Sequence, residues 1–392
     1  MNVLGTPPAP WQEIGPARPN PGPYYLWVSG EQSHEISLDG LRVNLQQPPE
    51  PENPRDTEWV VRPGGGPVQH VAEVSELQGF LLEGEERFHL DQAREHRFAP
   101  WILVAMVGAV LASAALGALP LGMALALMAG GWGLGAFRTW LSARLALRRL
   151  ARQPEVHLRN LAAEARFAVW LGRVGWRDRL LAWGLPIVWG VIFLVQLYAG
   201  RSESVALAGL VKPEVRQGDW LRLLTGPMLH GSVAHLLMNA GAWFGLALLA
   251  GRLFHRGWAL AAWFAGALGG SGVSLILTPQ TPSVGASGGL CGLLGLLLAL
   301  GWQRRALLPP AFLKDLLSAL GFMALFGVLA WALIDHGAHA GGLLAGFLVG
   351  VAVLAFQDRV PLPDSRDLRL LELAGGCAFL ALAGCTLVRL LS

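Results

Sequence analysis

The chain has 392 residues, of which 53% are hydrophobic and only 15% charged, where an ordinary soluble domain has about 25% charged residues. Residues 1–98 carry 15 acidic and 7 basic side chains, and residues 99–392 carry 12 and 23, so an acidic polar segment precedes a basic apolar one. That asymmetry excludes one long soluble globule. Because the Arg residues cluster between apolar runs, as in cytoplasmic loops of membrane proteins, it also sets nucleic-acid binding aside.

The chain opens on polar, Pro-rich sequence without a signal-peptide pattern, and residues 1–22 and 47–55 read as irregular. Ile36 and Leu38, then Leu41, Val43 and Leu45, alternate with polar residues on either side of Asp39-Gly40, a hairpin signal. Trp59–Val61 and Val68–Val74 read as further strands, separated by Gly64-Gly65-Gly66. Residues 1–98 are thus expected to be a soluble domain, β-rich over 23–90.

Long apolar runs begin at residue 99. A helix needs about 20 apolar residues to cross a bilayer, which gives nine candidate spans at roughly 100–118, 121–138, 180–199, 227–250, 258–277, 286–302, 311–333, 338–356 and 370–390. The first two meet near Pro120 as a hairpin, residues 99–140. Residues 138–179 carry ten Arg, and the linker 141–179 reads as a basic amphipathic helix on the inner membrane surface. Arg252 and Arg256, then Arg304, Arg305 and Lys314, then Arg359 and Arg366 fall at alternate loops. Loops 278–285 and 334–337 contain neither Lys nor Arg, and the alternation puts residues 1–98 in the cytoplasm. Cys291, Cys377 and Cys385 all lie in apolar runs, with neither a disulfide framework nor metal-ligand spacing.

Polar side chains within such spans are costly and call for individual explanation. Ser287 follows Pro282 and Gly285 directly before an apolar run, so it belongs at a helix N-terminus, where free N–H groups can stabilise an oxyanion. A simple cap or small packing residue is the structural alternative. His339, Gly342, Gly346 and Gly350 share one helical face, and Ser287, Cys291 and Gly295 share another. Two such small-residue stripes let helices approach closely, bringing a hydroxyl to an imidazole as nucleophilic catalysis requires. His235 and Asn239 lie four apart on one face and offer side-chain donors for an oxyanion, or a purely structural pair.

These residues resemble the rhomboid family of intramembrane serine proteases. Gly285-Ala286-Ser287-Gly288 is similar to its Gly-x-Ser-Gly motif, and Ala338-His339 with Gly342 and Gly346 to its Ala-His-x-x-Gly-x-x-x-Gly helix. His235-x-x-x-Asn239, with His230 in register, resembles the His-x-x-x-Asn helix, and Asp219-Trp220-Leu221-Arg222 with Thr225 the Trp-Arg loop. Two departures are Leu221 inside the loop motif and Cys291 where an aromatic often follows the nucleophile.

The resemblance covers residues 180–356. It implies an all-α polytopic membrane protein with a six-helix core, here extended by the N-terminal hairpin, a linker and C-terminal helix over 357–392, and the β-rich soluble domain. It further implies a serine endopeptidase with Ser287 as nucleophile and His339 as base. His235, Asn239 and the Ser287 N–H would hold the oxyanion, with no cofactor and no metal. Its partners would be transmembrane protein substrates within the bilayer of the cell (inner) membrane. Asp335, four residues before His339, reads as a loop residue and not a triad member. The nearest alternative is an inactive rhomboid-like binding factor. A transporter would want half-repeats and charged residues deep in a span, which the sequence lacks, and no His-Glu-x-x-His motif suggests a metalloprotease.

Overall fold

The computed structural model describes residues 9–12, 17–29, 32–47, 59–115, 133–329, 334–357 and 359–392. The N-terminal part holds strands β1 (Ala17–Arg18), β2 (Tyr25–Ser29) and β3 (Gln32–Ile36), helix α1 (Leu38–Gln46), strands β4 (Trp59–Val61), β5 (Gly66–Pro67) and β6 (Gln69–His70), and helix α2 (Gln78–Glu95). Four strands form an antiparallel sheet in the order β3-β2-β4-β6, while β1 pairs with β5.

The hairpin expected around Asp39-Gly40 is instead the first turn of α1. Ser37 caps that helix by accepting the Gly40 N–H at 3.1 Å. Leu41 and Leu45, four apart, are fully buried, whereas Leu38 and Val43 are exposed. The helical period therefore wins over the alternation: Leu41 and Leu45 enter the core formed with Leu77 and Leu81, and Ile36, on the strand before the cap, packs against it. The described residues of this region combine a four-stranded sheet and a two-stranded pair with two helices.

Helix α3 (Ala99–Ala115) covers most of the first expected span. Most of the second, 121–138, lies outside the described residues. The basic linker is two helices, α4 (Leu134–Arg152) and α5 (Pro154–Gly172), rather than one. Pro154 explains the break, since it clashes with a preceding helical turn but suits the first position of a new helix. Helix α5 is not only a surface element: Leu158 and Ala162 enter the N-terminal core, while Phe167 and Trp170 pack against the membrane core.

The rest of the chain is α6 (Trp176–Ala199), α7 (Arg201–Ala208), α8 (Lys212–Arg216), α9 (Arg222–Thr225), α10 (Val233–Phe254), α11 (Arg256–Leu277), α12 (Ser287–Gln303), α13 (Pro310–Leu329), α14 (His336–Ala355) and α15 (Arg366–Leu391). Among the described residues, α6, α10, α11, α14 and α15 are long and apolar enough to cross a membrane, and α12 is a shorter apolar helix of 17 residues. Of the expected span 311–333, residues 330–333 lie outside the described set.

Buried Trp189, Trp243 and Trp263 form a cluster with Phe379 that joins α6, α10, α11 and α15, with ring centroids 5.5–6.3 Å apart. At one end of the bundle Arg256 bonds Asp178 at 2.7 Å and Glu372 at 3.1 Å, tying the starts of α6, α11 and α15. Trp11 reaches this same half of the molecule, donating its indole N–H to Leu307 O at 3.0 Å and packing on Phe167 and Trp170. The opposite end gathers the connections before α10, α12 and α14.

Candidate active site

At that opposite end, the turn into α12 is built around Gly285. Its φ of +128° suits glycine, and a Cβ there would come within 2.5 Å of His235 Cε1. The Gly285 N–H donates to Gly226 O at 3.1 Å, fixing the turn. Ser287 follows as the first residue of α12, where helical N–H groups have no partner in the preceding turn.

Helix α14 brings the imidazole. Asp335 caps it by accepting the Ala338 N–H at 2.9 Å. One turn later, His339 Nε2 lies 2.9 Å from Ser287 Oγ, hydrogen-bond distance for a hydroxyl donating to a neutral ring nitrogen. The approach depends on near backbone contact between helices. A Cβ on Gly342 would sit 2.1 Å from Gly288 O, one on Gly346 1.8 Å from Gly292 O, and one on Gly266 of α11 2.7 Å from Gly292 Cα.

The stripe facing α14 is thus Gly288 and Gly292, one residue on from the expected Ser287 and Cys291, with Gly295 against Leu343. This rotation lets Ser287 lie beside the contact line instead of being buried in it. It also turns the buried Cys291 thiol toward α13, where Sγ lies 3.4 Å from Met323 Sδ.

Helix α10 presents the other two expected residues. Ser232 caps it by accepting the His235 N–H at 3.1 Å. His235 Nδ1 accepts the Gly231 N–H at 3.4 Å, and the far side of the ring abuts Gly285. Asn239 is 5% exposed, and its Nδ2 is buried without an acceptor, 3.7 Å from where a Gly285 Cβ would lie. His230 turns the other way, its ring edge-on to His235 and tilted against Trp189. The His230 backbone N–H donates to Gln196 Oε1 at 2.9 Å.

The loop motif residues brace this end. Arg222 donates to Asp219 at 2.7 Å and to Gly209 O at 3.0 Å, and Thr225 Oγ1 donates to Ala208 O at 2.7 Å. Trp220 is exposed. Asp219 also receives both Arg389 nitrogens, at 2.6 and 2.9 Å, and that guanidinium, then Arg222, holds its carboxyl below the usual range. Sequence reasoning missed Lys212, which is 1% exposed. Its ammonium donates to Thr281 O and lies 3.7 Å from Asp335 Oδ2, the same oxygen that accepts the Ser274 hydroxyl. Burial pushes the Lys212 pKa down and Asp335 pulls it back. No periodicity marks Lys212, since its partners come from two distant loops.

Residues 217–356 match the Rhomboid domain family, so the region expected to carry the resemblance is matched from 217 onward. Rhomboid protease GluP of Bacillus subtilis (strain 168) is 31% identical over 166 residues, which are 42% of this chain and 32% of that protein. Rhomboid-like protease 5 of Toxoplasma gondii is 32% identical over 163 residues, 38% of this chain and 18% of that one. The chain therefore spans a third or less of these two relatives. A second Bacillus subtilis relative, YdcA, is 30% identical over 146 residues, 37% of this chain and 73% of its own length. On that coverage, and with the apolar helices that make it an integral membrane protein, the chain belongs to the rhomboid family.

Proposed function

We propose that the chain is an intramembrane serine endopeptidase that hydrolyses peptide bonds in or near transmembrane segments of membrane-protein substrates. The observation that carries this reading is the 2.9 Å contact between His339 Nε2 and Ser287 Oγ. Ser287 Oγ attacks the scissile carbonyl carbon while its proton passes to His339 Nε2. The carbonyl oxygen becomes an oxyanion, which the Ser287 N–H, the Asn239 amide and His235 are arranged to receive. The tetrahedral adduct collapses, His339 returns the proton to the leaving amine, and water then cleaves the acyl-enzyme by the reverse path.

This is a dyad, not a triad. Asp335 is engaged by Ala338, Ser274 and Lys212, so it positions α14 and does not orient the His339 ring. A 17-residue helix rises only about 25 Å, against a hydrocarbon slab of about 30 Å. Ser287 therefore sits below the membrane surface, where a transmembrane segment would be met. In this reading α6 and α10–α14 are the six-helix core and α15 a seventh. The N-terminal domain, residues 1–98, faces the cytoplasm at the cell (inner) membrane. The inactive binding-factor reading gains nothing from a site that retains both reacting groups in contact.

The test is reconstitution of the full chain in proteoliposomes with a designed transmembrane substrate bearing small residues near its outer end. Wild type should cleave it, while Ser287→Ala and His339→Ala should lose activity by roughly 10³-fold or more at unchanged unfolding temperature. Near-normal cleavage by either variant would overturn the assignment. Absence of cleavage by wild type, with retained substrate binding, would favour the binding factor.

A further inference from the structure

A second cluster of reactive side chains lies at the other end of the molecule, between the N-terminal domain and the linker. Helix α2 carries Glu85 and His89 four residues apart, hence on one face. The first turn of α5 carries His157, 72 residues from Glu85. Glu85 Oε2 lies 3.5 Å from His89 Nε2 and 3.4 Å from His157 Nε2. One ligand atom from each residue lies within 4.8 Å of the other two. The side chains of Glu85, His89 and His157 are 5%, 17% and 11% exposed.

These separations bear on how the cluster is held. A charge-assisted N–H to carboxylate bond is about 2.7–2.9 Å long; the His157 contact is a long hydrogen bond at 3.4 Å, and His89 lies 3.5 Å from the same oxygen. Donors held about 2.0–2.2 Å from a tetrahedral zinc ion are separated from one another by about 3.3–3.5 Å. Two of the three edges of the donor triangle already have that length. Two neutral imidazoles and one carboxylate also make a donor set that suits zinc, and the carboxylate offsets half its charge.

We propose that Glu85, His89 and His157 form a binding site for one Zn²⁺ ion, with the fourth position taken by water. The site is preorganised, because packing already fixes the two helices. Leu158 and Ala162, on the helix that carries His157, are buried in the N-terminal core, and Arg166 further along bonds Glu73 at 2.5 Å. The ion would staple α2 to α5 across the long connection through α3 and α4, and so hold the N-terminal domain on the helix that leads into α6. The site involves neither Ser287 nor His339 and does not depend on the protease reading.

The experiment uses the full chain in detergent, with any affinity tag removed and metal stripped by a chelator. Zn²⁺ is titrated calorimetrically, and metal content is counted after dialysis. Wild type should retain one equivalent and show a higher unfolding temperature with Zn²⁺. His89→Gln and His157→Gln keep a polar group of similar size, should unfold like metal-free wild type, and should bind Zn²⁺ at least a hundredfold more weakly. His89→Cys replaces one ligand by another and should retain the equivalent, which separates ligand loss from misfolding. Co²⁺ in place of Zn²⁺ should give the intense visible absorption of a tetrahedral site in wild type and in His89→Cys only. Failure of wild type to bind an equivalent, or undiminished binding in both Gln variants, would overturn the proposal.

Discussion

Asn239 holds an amide N–H pair that is buried with one nitrogen unsatisfied, an arrangement that costs about 1–3 kcal/mol in a folded protein. Such a cost at the edge of a Ser–His pair makes sense if the donor is kept for an oxyanion that forms only during reaction. Asn239→Ala should therefore lower kcat by about 10²–10³-fold while leaving the unfolding temperature unchanged or raised. A purely structural Asn239 would show the opposite pattern, with lost stability and retained turnover. Gly285→Ala should be worse for folding than for chemistry alone, because its Cβ meets the His235 ring and its φ lies in the glycine region. Cleavage assays and thermal unfolding of the same samples separate the two effects. Ser287, His339, His235 and Asn239 could be singled out from the sequence because a polar side chain in an apolar run needs an explanation, and all four lie at the same end of the bundle. Lys212 was opaque, since its importance comes from Thr281 and Asp335, neither of which is near it in sequence.

At the scale of helices, the contact between α12 and α14 is made by backbone atoms with nothing between them. Gly346→Ala would place a Cβ 1.8 Å from Gly292 O, so the helices must separate. Overpacking of this kind typically costs about 1–3 kcal/mol, and the separation would also lengthen the Ser287–His339 contact. Lower stability together with lower turnover is expected, whereas the same change at half-buried Gly376, with open space where its Cβ would lie, should affect neither. The sequence showed two small-residue stripes but misplaced one by a residue, because Cys291 and Gly292 are both small and periodicity cannot choose between them. In α1 the same weakness had a larger effect: apolar residues at 36, 38, 41, 43 and 45 fit either period, and the Ser37 cap decided for helix.

The latch between α15 and the loop before α10 gives a pH-dependent expectation. Arg389 and Arg222 depress the Asp219 pKa, so its folded value lies below its unfolded value. The contribution to stability is then complete above the ordinary carboxylate range, near 4, and is lost as pH falls through the lower folded value. Asp219→Asn should remove that acid-side component from the unfolding profile measured from about pH 5 downward, through and below the ordinary carboxylate value near 4, and leave the neutral-to-basic arm with the same slope.

For the whole molecule, the decisive question is which connections share a side of the membrane. The segment between α6 and α10 touches both other loops near the dyad: Leu210 bridges to Ser283 and Lys212 pairs with Asp335. At the far end, Arg256 joins Asp178 to Glu372, Arg304 donates to Leu354 O at 3.0 Å, and Trp11 docks on Leu307. The far end is also where the Arg-rich loops fall, so the positive-inside tendency predicts that it faces the cytoplasm together with residues 1–98. Cysteine labelling in intact cells checks this, once Cys291, Cys377 and Cys385 are replaced. Gln280→Cys, in an exposed position between α11 and α12, should react with an impermeant maleimide added outside. Arg305→Cys, exposed between α12 and α13, should react only after the membrane is opened. The reverse pattern would invert the orientation while leaving the dyad intact, since both loops at its end would move together. Labelling of both positions from one side would be fatal to α12 as a membrane-crossing helix, and with it to Ser287 lying below the outer surface.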